Sequence, residues 1–392
     1  MYKILFITTS FEQKANSAAI RNNALVEGLI QNGCKVTVLT PQWPEHMRSI
    51  YFTGRNKADI IRTYISDLAI LKKTAVPGKR RSNSHLSRIR GLIRDLIYYP
   101  DICKNWPNLA EIGKMNSYDL IISSSDLKSS HFVALKLKQQ NPLTPWIQIW
   151  GDPWKEDVNL SWLHKTKAEK HEYELLKQAD KVIYVSNLTK EKMSQNYPEL
   201  SDKLFYIPRG YYQAIHKKEG DKNLFRIVYT GVLSTGRNVF NLLSALEELN
   251  KKREKKVYID FYGNYPSDMA EKIKTFSYCS VYANIDYENV LSLYEKSDAL
   301  LFISNKQGST QIPGKFFDYM GTELPIICLI EGTDSGVVKM LEQYSRCLII
   351  PNTSEGVREG LSSIDNYLGK KYEIEKNFSP KAVASEMLKL MI

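Results

Sequence analysis

The sequence predicts an α/β protein of two doubly wound parallel-sheet domains in series, with a ligand site in the cleft they face. Three observations predict this. The chain has 392 residues, too many for one ordinary hydrophobic core. Short apolar runs alternate with segments of helical period, the pattern of strands buried on both faces beneath helices. The alternation halts once, over the polar stretch "RGYYQAIHKKEGDKNL" at 209–224, and then resumes.

Taken in order, "KILFIT" (3–8) reads as a buried strand, and 18–32 as a helix with Ala19, Leu25, Val26 and Leu29 among its apolar positions. Gly33 suits the helix stop, and "KVTVLT" (35–40) is the next strand. "DLIISS" (119–124), a helix near 127–140, "PWIQIW" (145–150), a helix near 161–179, "KVIYVS" (181–186), a short helix and "LFYIP" (204–208) complete the first half. The second runs through "FRIVYTG" (225–231), a helix at 238–252, "VYIDFYG" (257–263), another helix, "SVYANI" (280–285), a helix at 287–297 and "ALLFIS" (299–304). It continues through "GSTQIPGKFFDYM" (308–320), "PIICLI" (325–330) and "RCLIIP" (346–351). The expected division is an N-terminal Rossmann-like domain at 1–208, a linker at 209–224 and a C-terminal Rossmann-like domain at 225–375. A closing helix within 376–392 has the option of crossing back, with Ser379 as cap and Pro380 in its first position.

An apolar share of 43% and a charged share of 25% are those of a globular protein that is not embedded in a bilayer. No apolar run approaches bilayer length, and the N-terminus lacks the pattern of a secretion signal. Five scattered cysteines in no metal-ligand spacing read as reduced thiols of a cytoplasmic protein. The formal net charge of +11 is unevenly placed: 1–205 carries +10 and 206–392 carries +1, so an anionic partner is expected for the first half.

Ligands of open parallel sheets bind beyond the C-terminal strand ends, where loops lead into helices. The stretch at 308–320 is such a loop. Ser309 and Thr310, with the helix N-terminus expected at Pro313, form a candidate anion site. Lys315 is unfavourable at the positive end of a helix dipole unless an anion binds there. Asp318, one turn on, can accept two hydrogen bonds from the cis hydroxyls of a ribose. A solvated surface pair stays open as the alternative. In "YTGVLSTGRNVF" (229–240), Gly231 and Gly236 let the backbone run close to a ligand, and Arg237 can fork onto a diphosphate.

On these residues the chain resembles the GT-B fold glycosyltransferases, and among them the family 4 retaining enzymes (glycosyl transferases group 1). The resemblance spans nearly the whole length. It rests on "SNLTKEKMSQNYPELSDKLFYIPRG" (186–210), "YTGVLSTGRNVFNLLSAL" (229–246), "NIDYENVLSLYEKSDALLFIS" (284–304) and "IPGKFFDYMGTELPII" (312–327). The last is similar to the family's Pro-x-Lys-x-x-Glu-Tyr-Met segment before a buried strand. The resemblance implies a sugar nucleotide held by the C-terminal domain and an acceptor held by the N-terminal one. It places Arg237 and Lys315 on the diphosphate as catalytic residues, and Asp318 at the ribose-binding glutamate position. Asn284, Ile285 and Tyr287 would lie near the base, with Gly231, Gly308, Ser309, Thr310 and Gln311 around the donor. Ser17, Arg21 and Asp152 are the substrate-binding candidates of the first half. Asp152 lies in "PWIQIWGDPW" (145–154), similar to an Asp-x-Trp-like turn of members that act on amino sugars and lipid-linked acceptors; capping the turn at Pro153 is its other role. The sequence departs from the family at several points. Thr310 replaces the first glutamate of the pair, Val232 a second basic residue, and Glu323 a glycine. The first loop, at 8–22, lacks a glycine pair, and His131 falls too late to match the histidine after the fourth strand.

The segment 72–106 holds nine Lys/Arg, and "SHLSRIRGLIRDLIYY" (84–99) places Leu86, Ile89, Leu92, Ile93, Leu96 and Ile97 at helical spacing. It fits an anionic membrane surface, with an ordinary surface helix as the alternative. Nucleic acid is not expected, since no binding module is recognised and the charge stays in one half. Nor is a metal or other cofactor: the histidines have no ligand spacing, and no Asp-x-Asp occurs. The expectation is a cytoplasmic enzyme at the inner face of a membrane, passing a sugar from a nucleoside diphosphate to a lipid-linked or cell-surface glycan. Its rivals are a nucleotide-sugar epimerase on the same fold and a non-catalytic sugar-nucleotide binder.

Overall fold

A computed structural model describes residues 1–14, 16–49, 51–52, 57–65, 98–110, 118–157, 160, 162–233, 238–305, 312–332 and 335–391. The chain divides into two compact units, one of Met1–Arg209 with Pro380–Ile392, the other of Gly210–Ser379.

The first unit is built on strands β1 (Lys3–Thr8), β2 (Lys35–Pro41), β3 (Asp59–Thr63), β4 (Leu120–Ser125), β5 (Trp146–Trp150), β6 (Lys181–Tyr184) and β7 (Leu204–Tyr206). They form one parallel sheet in the order β3-β2-β1-β4-β5-β6-β7. Its helices are α1 (Ser17–Gln31), α2 (Trp106–Leu109), α3 (Ser129–Gln140), α4 (Lys165–Gln178) and α5 (Asn187–Asn196). Every residue of β4 and β5 is buried, Ser123, Ser124, Ser125 and Gln148 included, as befits strands between helical layers. The Asn16 side chain caps α1 by accepting from the N–H groups of Ala18 and Ala19, and Gly33 ends it at φ +81°.

The second unit has β8 (Leu224–Thr230), β9 (Lys256–Tyr262), β10 (Cys279–Tyr282), β11 (Ala299–Ile303), β12 (Ile326–Ile330) and β13 (Cys347–Pro351). All pair in parallel, in the order β10-β9-β8-β11-β12-β13. The helices between them are α6 (Phe240–Lys251), α7 (Ser267–Ile273), α8 (Tyr287–Glu295), α9 (Lys315–Met320) and α10 (Ser335–Leu341), and α11 (Ser354–Ser362) follows β13. In both sheets the strand order reverses beside the first strand, between β1 and β4 and between β8 and β11. Those are the positions where doubly wound sheets receive ligands.

Three features depart from the sequence expectations. Residues 210–224 are part of the second unit rather than a linker. Tyr211 and Ile215 are buried there, and Ile215 donates to the Gly321 carbonyl and accepts from Glu323 N–H. The buried ion pair Lys217–Asp298, at 2.7 Å, fastens the same stretch. Strand β3 was not expected; Asp59 and Arg62 break its apolar run, as an edge strand tolerates. Pro313 stands before α9 rather than in its first turn, its carbonyl accepting from Phe316 N–H at 3.0 Å, and Gly314 takes the cap position.

Helix α12 (Pro380–Lys389) starts at the expected proline and packs in the first unit, where Val383, Ala384 and Met387 join Phe6, Leu25 and Leu29 in one core. Gly28 makes this contact possible. A Cβ there would fall 2.9 Å from the Ala384 Cβ and nearer still to the Pro380 carbonyl. Among the described residues no helix is long and apolar enough to cross a membrane. The basic stretch at 84–97 lies outside the described residues.

Candidate active site

The switch point of the second sheet gathers residues far apart in sequence. Gly231 follows β8 directly, at φ +126°, a conformation other residues rarely adopt. Its N–H donates to the Tyr262 carbonyl at 2.6 Å, holding the end of β8 against β9. Lys315, the first residue of α9, sends its side chain back across Gly231: a Cβ at 231 would lie 2.6 Å from Lys315 Cε and nearer still to Nζ. The same ammonium lies 5.3 Å from the centre of the Tyr229 ring. The topology alone explains this meeting, because β8 and β11 are neighbours and both loops leave from the same sheet edge.

Asp318 follows one turn later, half-buried on α9. Its negative charge lies close enough to the buried Tyr294 phenol to add to the upward pKa shift that burial imposes there. Tyr294 hydrogen-bonds Thr230 Oγ1 at 2.5 Å and meets Tyr319 edge-on, and Tyr319 donates to the Leu301 carbonyl at 3.1 Å. These bonds tie α8 and α9 to β8 and β11, so the floor beneath Lys315 and Asp318 is cross-linked. Asn284 is exposed and Ile285 half-buried on the loop after β10, and Tyr287 is buried as the first residue of α8, edge-on to Tyr212.

Gly263 was not expected from the sequence. At φ +156° it closes β9 beside Gly231, and a Cβ there would lie 2.6 Å from the Gly231 carbonyl carbon. The signal was the repeated strand-terminal glycine of "VYTG" and "DFYG", whose preceding residues Thr230 and Tyr262 are in register. Glu331 was not expected either. It accepts from Asn238 N–H at 3.1 Å and from the Asn352 amide, fixing the residue next to Arg237. Arg237, Gly308, Ser309, Thr310 and Gln311 lie outside the described residues.

In the first unit, Arg21 points from α1 to the end of β4, donating to Ser124 Oγ at 3.1 Å and the Ser125 carbonyl at 3.4 Å. Burial, and then the neighbouring Arg209, lower its pKa to about 10, while Asp126 and Asp152 oppose that shift. Arg209 binds Ser17 through Oγ at 2.7 Å and the carbonyl at 3.2 Å. Asp152 reaches solvent, yet desolvation by the protein around its carboxyl raises its pKa, with Lys128 and Arg21 opposing. Ser17, Arg21 and Asp152 are therefore brought together, with Arg209 and Asp126 as unpredicted neighbours. His131 belongs to the core. It is fully buried on α3, 2.7 Å from Ser123 Oγ and 4.5 Å from the Trp150 ring, and burial pushes its pKa well down. Among the described residues no cluster of His, Cys, Asp and Glu could hold a metal ion.

No family model and no curated protein matches the sequence. Solved structures do match in fold. HepE of Anabaena, solved with UDP and glucose, aligns at TM-score 0.55 and 11% identity over 100% of this chain and 95% of its own. A UDP-GlcNAc 2-epimerase from Neisseria meningitidis, bound to UDP-GlcNAc, aligns at 0.54 and 11% over 99% of each chain. A glycosyltransferase from Rickettsia africae aligns at 0.53 and 12% over 100% and 93%. By its two doubly wound parallel-sheet units, the chain has the fold of the GT-B glycosyltransferases.

Proposed function

We propose that the protein transfers a sugar from a nucleoside-diphosphate sugar to an acceptor hydroxyl. One observation carries the proposal: the Lys315 ammonium lies across the bare α-carbon of Gly231 at the sheet's switch point, with Asp318 one turn away. A cation set over a strand-terminal glycine suits a phosphate that approaches the backbone closely. A carboxylate one turn on suits the paired hydroxyls of a ribose.

In the reaction, the bond between the anomeric carbon and the β-phosphate oxygen breaks, and the acceptor oxygen bonds to that carbon. The acceptor's proton passes to the departing phosphate. Lys315 and Arg237 would stabilise the charge that grows on the diphosphate, and cations fixed in place beforehand commonly supply much of the acceleration in sites of this kind. Retention of anomeric configuration follows if attack and departure share one face, as the resemblance implies. The acceptor is proposed to be lipid-linked or a growing surface glycan bound at Ser17, Arg21 and Asp152, with the basic stretch at 84–99 on the inner face of an anionic membrane.

Calorimetric titration with nucleoside diphosphates tests the site. Lys315→Ala and Arg237→Ala should each weaken binding by about 1.5–3 kcal/mol, the range for hydrogen bonds to charged groups. Unchanged affinity in both variants would overturn the assignment. The fold likeness to an epimerase supports a second reading, epimerisation of the sugar nucleotide itself. Incubation without acceptor separates the two, since an epimerase turns its substrate over alone.

A further inference from the structure

The protein has six tryptophans: Trp43, Trp106, Trp146, Trp150, Trp154 and Trp162. Five are at most 2% exposed, whereas Trp162 is 73% exposed. The indole, apolar in its body and polar at its N–H, is enriched at apolar–aqueous boundaries. Trp162 opens the short turn that leads into α4, whose first two turns present Lys165, Lys167 and Lys170 to solvent. The first turn has no acidic residue, so these cations crowd the positive end of the helix. Glu169 among them is paired with Lys155 rather than left to neutralise them.

Beneath Lys167 lies an aromatic cluster. Tyr99 stacks on Trp154 at 5.6 Å, its hydroxyl is 3.1 Å from His171 Nδ1, and the Lys167 ammonium lies 4.4 Å from its ring centre. Tyr99 is also where the chain emerges from 66–97, the stretch whose sequence carries most of the basic amphipathic segment. An exposed indole is thus followed within two helical turns by three exposed lysines, of which Lys167 and Lys170 share one face of α4, in the half of the sequence that carries the charge surplus of +10.

We propose that Trp162, with Lys165, Lys167 and Lys170, is an interfacial anchor for an anionic lipid surface. The indole enters the headgroup layer and the lysines pair with lipid phosphates. The proposal deepens the membrane association read from the basic segment, but uses different residues and can fail separately.

The buried state of the other tryptophans makes Trp162 its own reporter. Vesicles of phosphatidylglycerol and brominated phosphatidylcholine should quench part of the emission of the full-length protein, and Trp162→Phe should abolish that quenching. Lys165→Gln, Lys167→Gln and Lys170→Gln together should weaken co-sedimentation on the order of a hundredfold at low salt, and much less at high salt. Co-sedimentation without Trp162 quenching would overturn the anchor while leaving the basic segment in place. Absence of co-sedimentation would overturn both. If Arg88→Gln, Arg90→Gln and Arg94→Gln release the protein but the lysine variant binds as the parent does, the anchor is again overturned.

Discussion

Lys315 and Gly231 exclude one another's bulk: the lysine side chain crosses the space where any other residue at 231 would carry its β-carbon. The glycine is thus required twice, for its φ of +126° and for the room it leaves.

Gly231→Ala should therefore destabilise the second unit by about 1–3 kcal/mol and reduce nucleoside-diphosphate affinity by displacing the ammonium. The double variant with Lys315→Ala should recover the steric share of the stability and none of the affinity. All six tryptophans precede residue 210, so fluorescence follows the first unit and the second must be followed by circular dichroism in urea. Equal unfolding midpoints for parent and Gly231→Ala would contradict the close approach.

Asp318 gives a sharper test of nucleotide recognition. If its carboxylate takes both ribose hydroxyls, the parent should prefer a ribonucleoside diphosphate over the 2′-deoxy form by about 1–3 kcal/mol. Asp318→Asn should blunt that preference and Asp318→Ala should lose most of it. Equal ratios in parent and Asp318→Ala would leave the carboxylate without a role at the sugar of the nucleotide.

Arg346 concerns stability alone. It is 2% exposed, and burial lowers its pKa to about 10. It donates to the carbonyls of Leu324 at 2.9 Å and Thr322 at 2.5 Å, bracing the turn between α9 and β12. Arg346→Met would fill the volume but strand those carbonyls, at a cost of about 3 kcal/mol. The far-ultraviolet unfolding midpoint in urea checks it, and no shift would show that water replaces the guanidinium.

Glu323 predicts part of the pH dependence. Its pKa is lowered, first by the hydrogen bond to His216 and next by that from Lys217 N–H, both 2.9 Å long. A depressed carboxylate pKa means that the unfolded chain takes up protons first as acid is added. The stabilisation is therefore whole above pH 4.5 and is lost as pH falls through the lowered value. Glu323→Gln should lower stability at neutral pH and flatten this part of the acid slope. A slope identical to the parent's, in unfolding followed from about pH 7 to about pH 3, would contradict it.

The strands were legible along the chain because burial on both faces favours apolar runs, unbroken in β11 and β12 and interrupted by serines in β4 and by Gln148 in β5. Strand β3 was not, because an edge strand need bury only part of its surface and can carry Asp59 and Arg62. The second unit's claim on 210–224 was hidden in single side chains, Tyr211 and Ile215, which have no period to detect. At the site, Lys315, Asp318 and Gly231 could be chosen by residue type and position after a strand. Their meeting could not, since it depends on β8 and β11 being neighbours although two other strands separate them in the chain. Arg209 beside Arg21 lay deeper still. A strand-end arginine before a glycine gives no hint that it will share a buried site with another cation.

The seat of α12 on α1 at Gly28 bears on how the molecule is made. A ribosome releases Pro380–Lys389 only after the whole of Gly210–Ser379, so the second unit is nested inside the first as an insertion is. Until that helix arrives, the side of the nascent first unit lined by Phe6, Leu25 and Leu29 stays bare, and chaperones or a neighbouring nascent chain can reach it. Completion of the unit begun first is thus timed by the synthesis of the unit begun second.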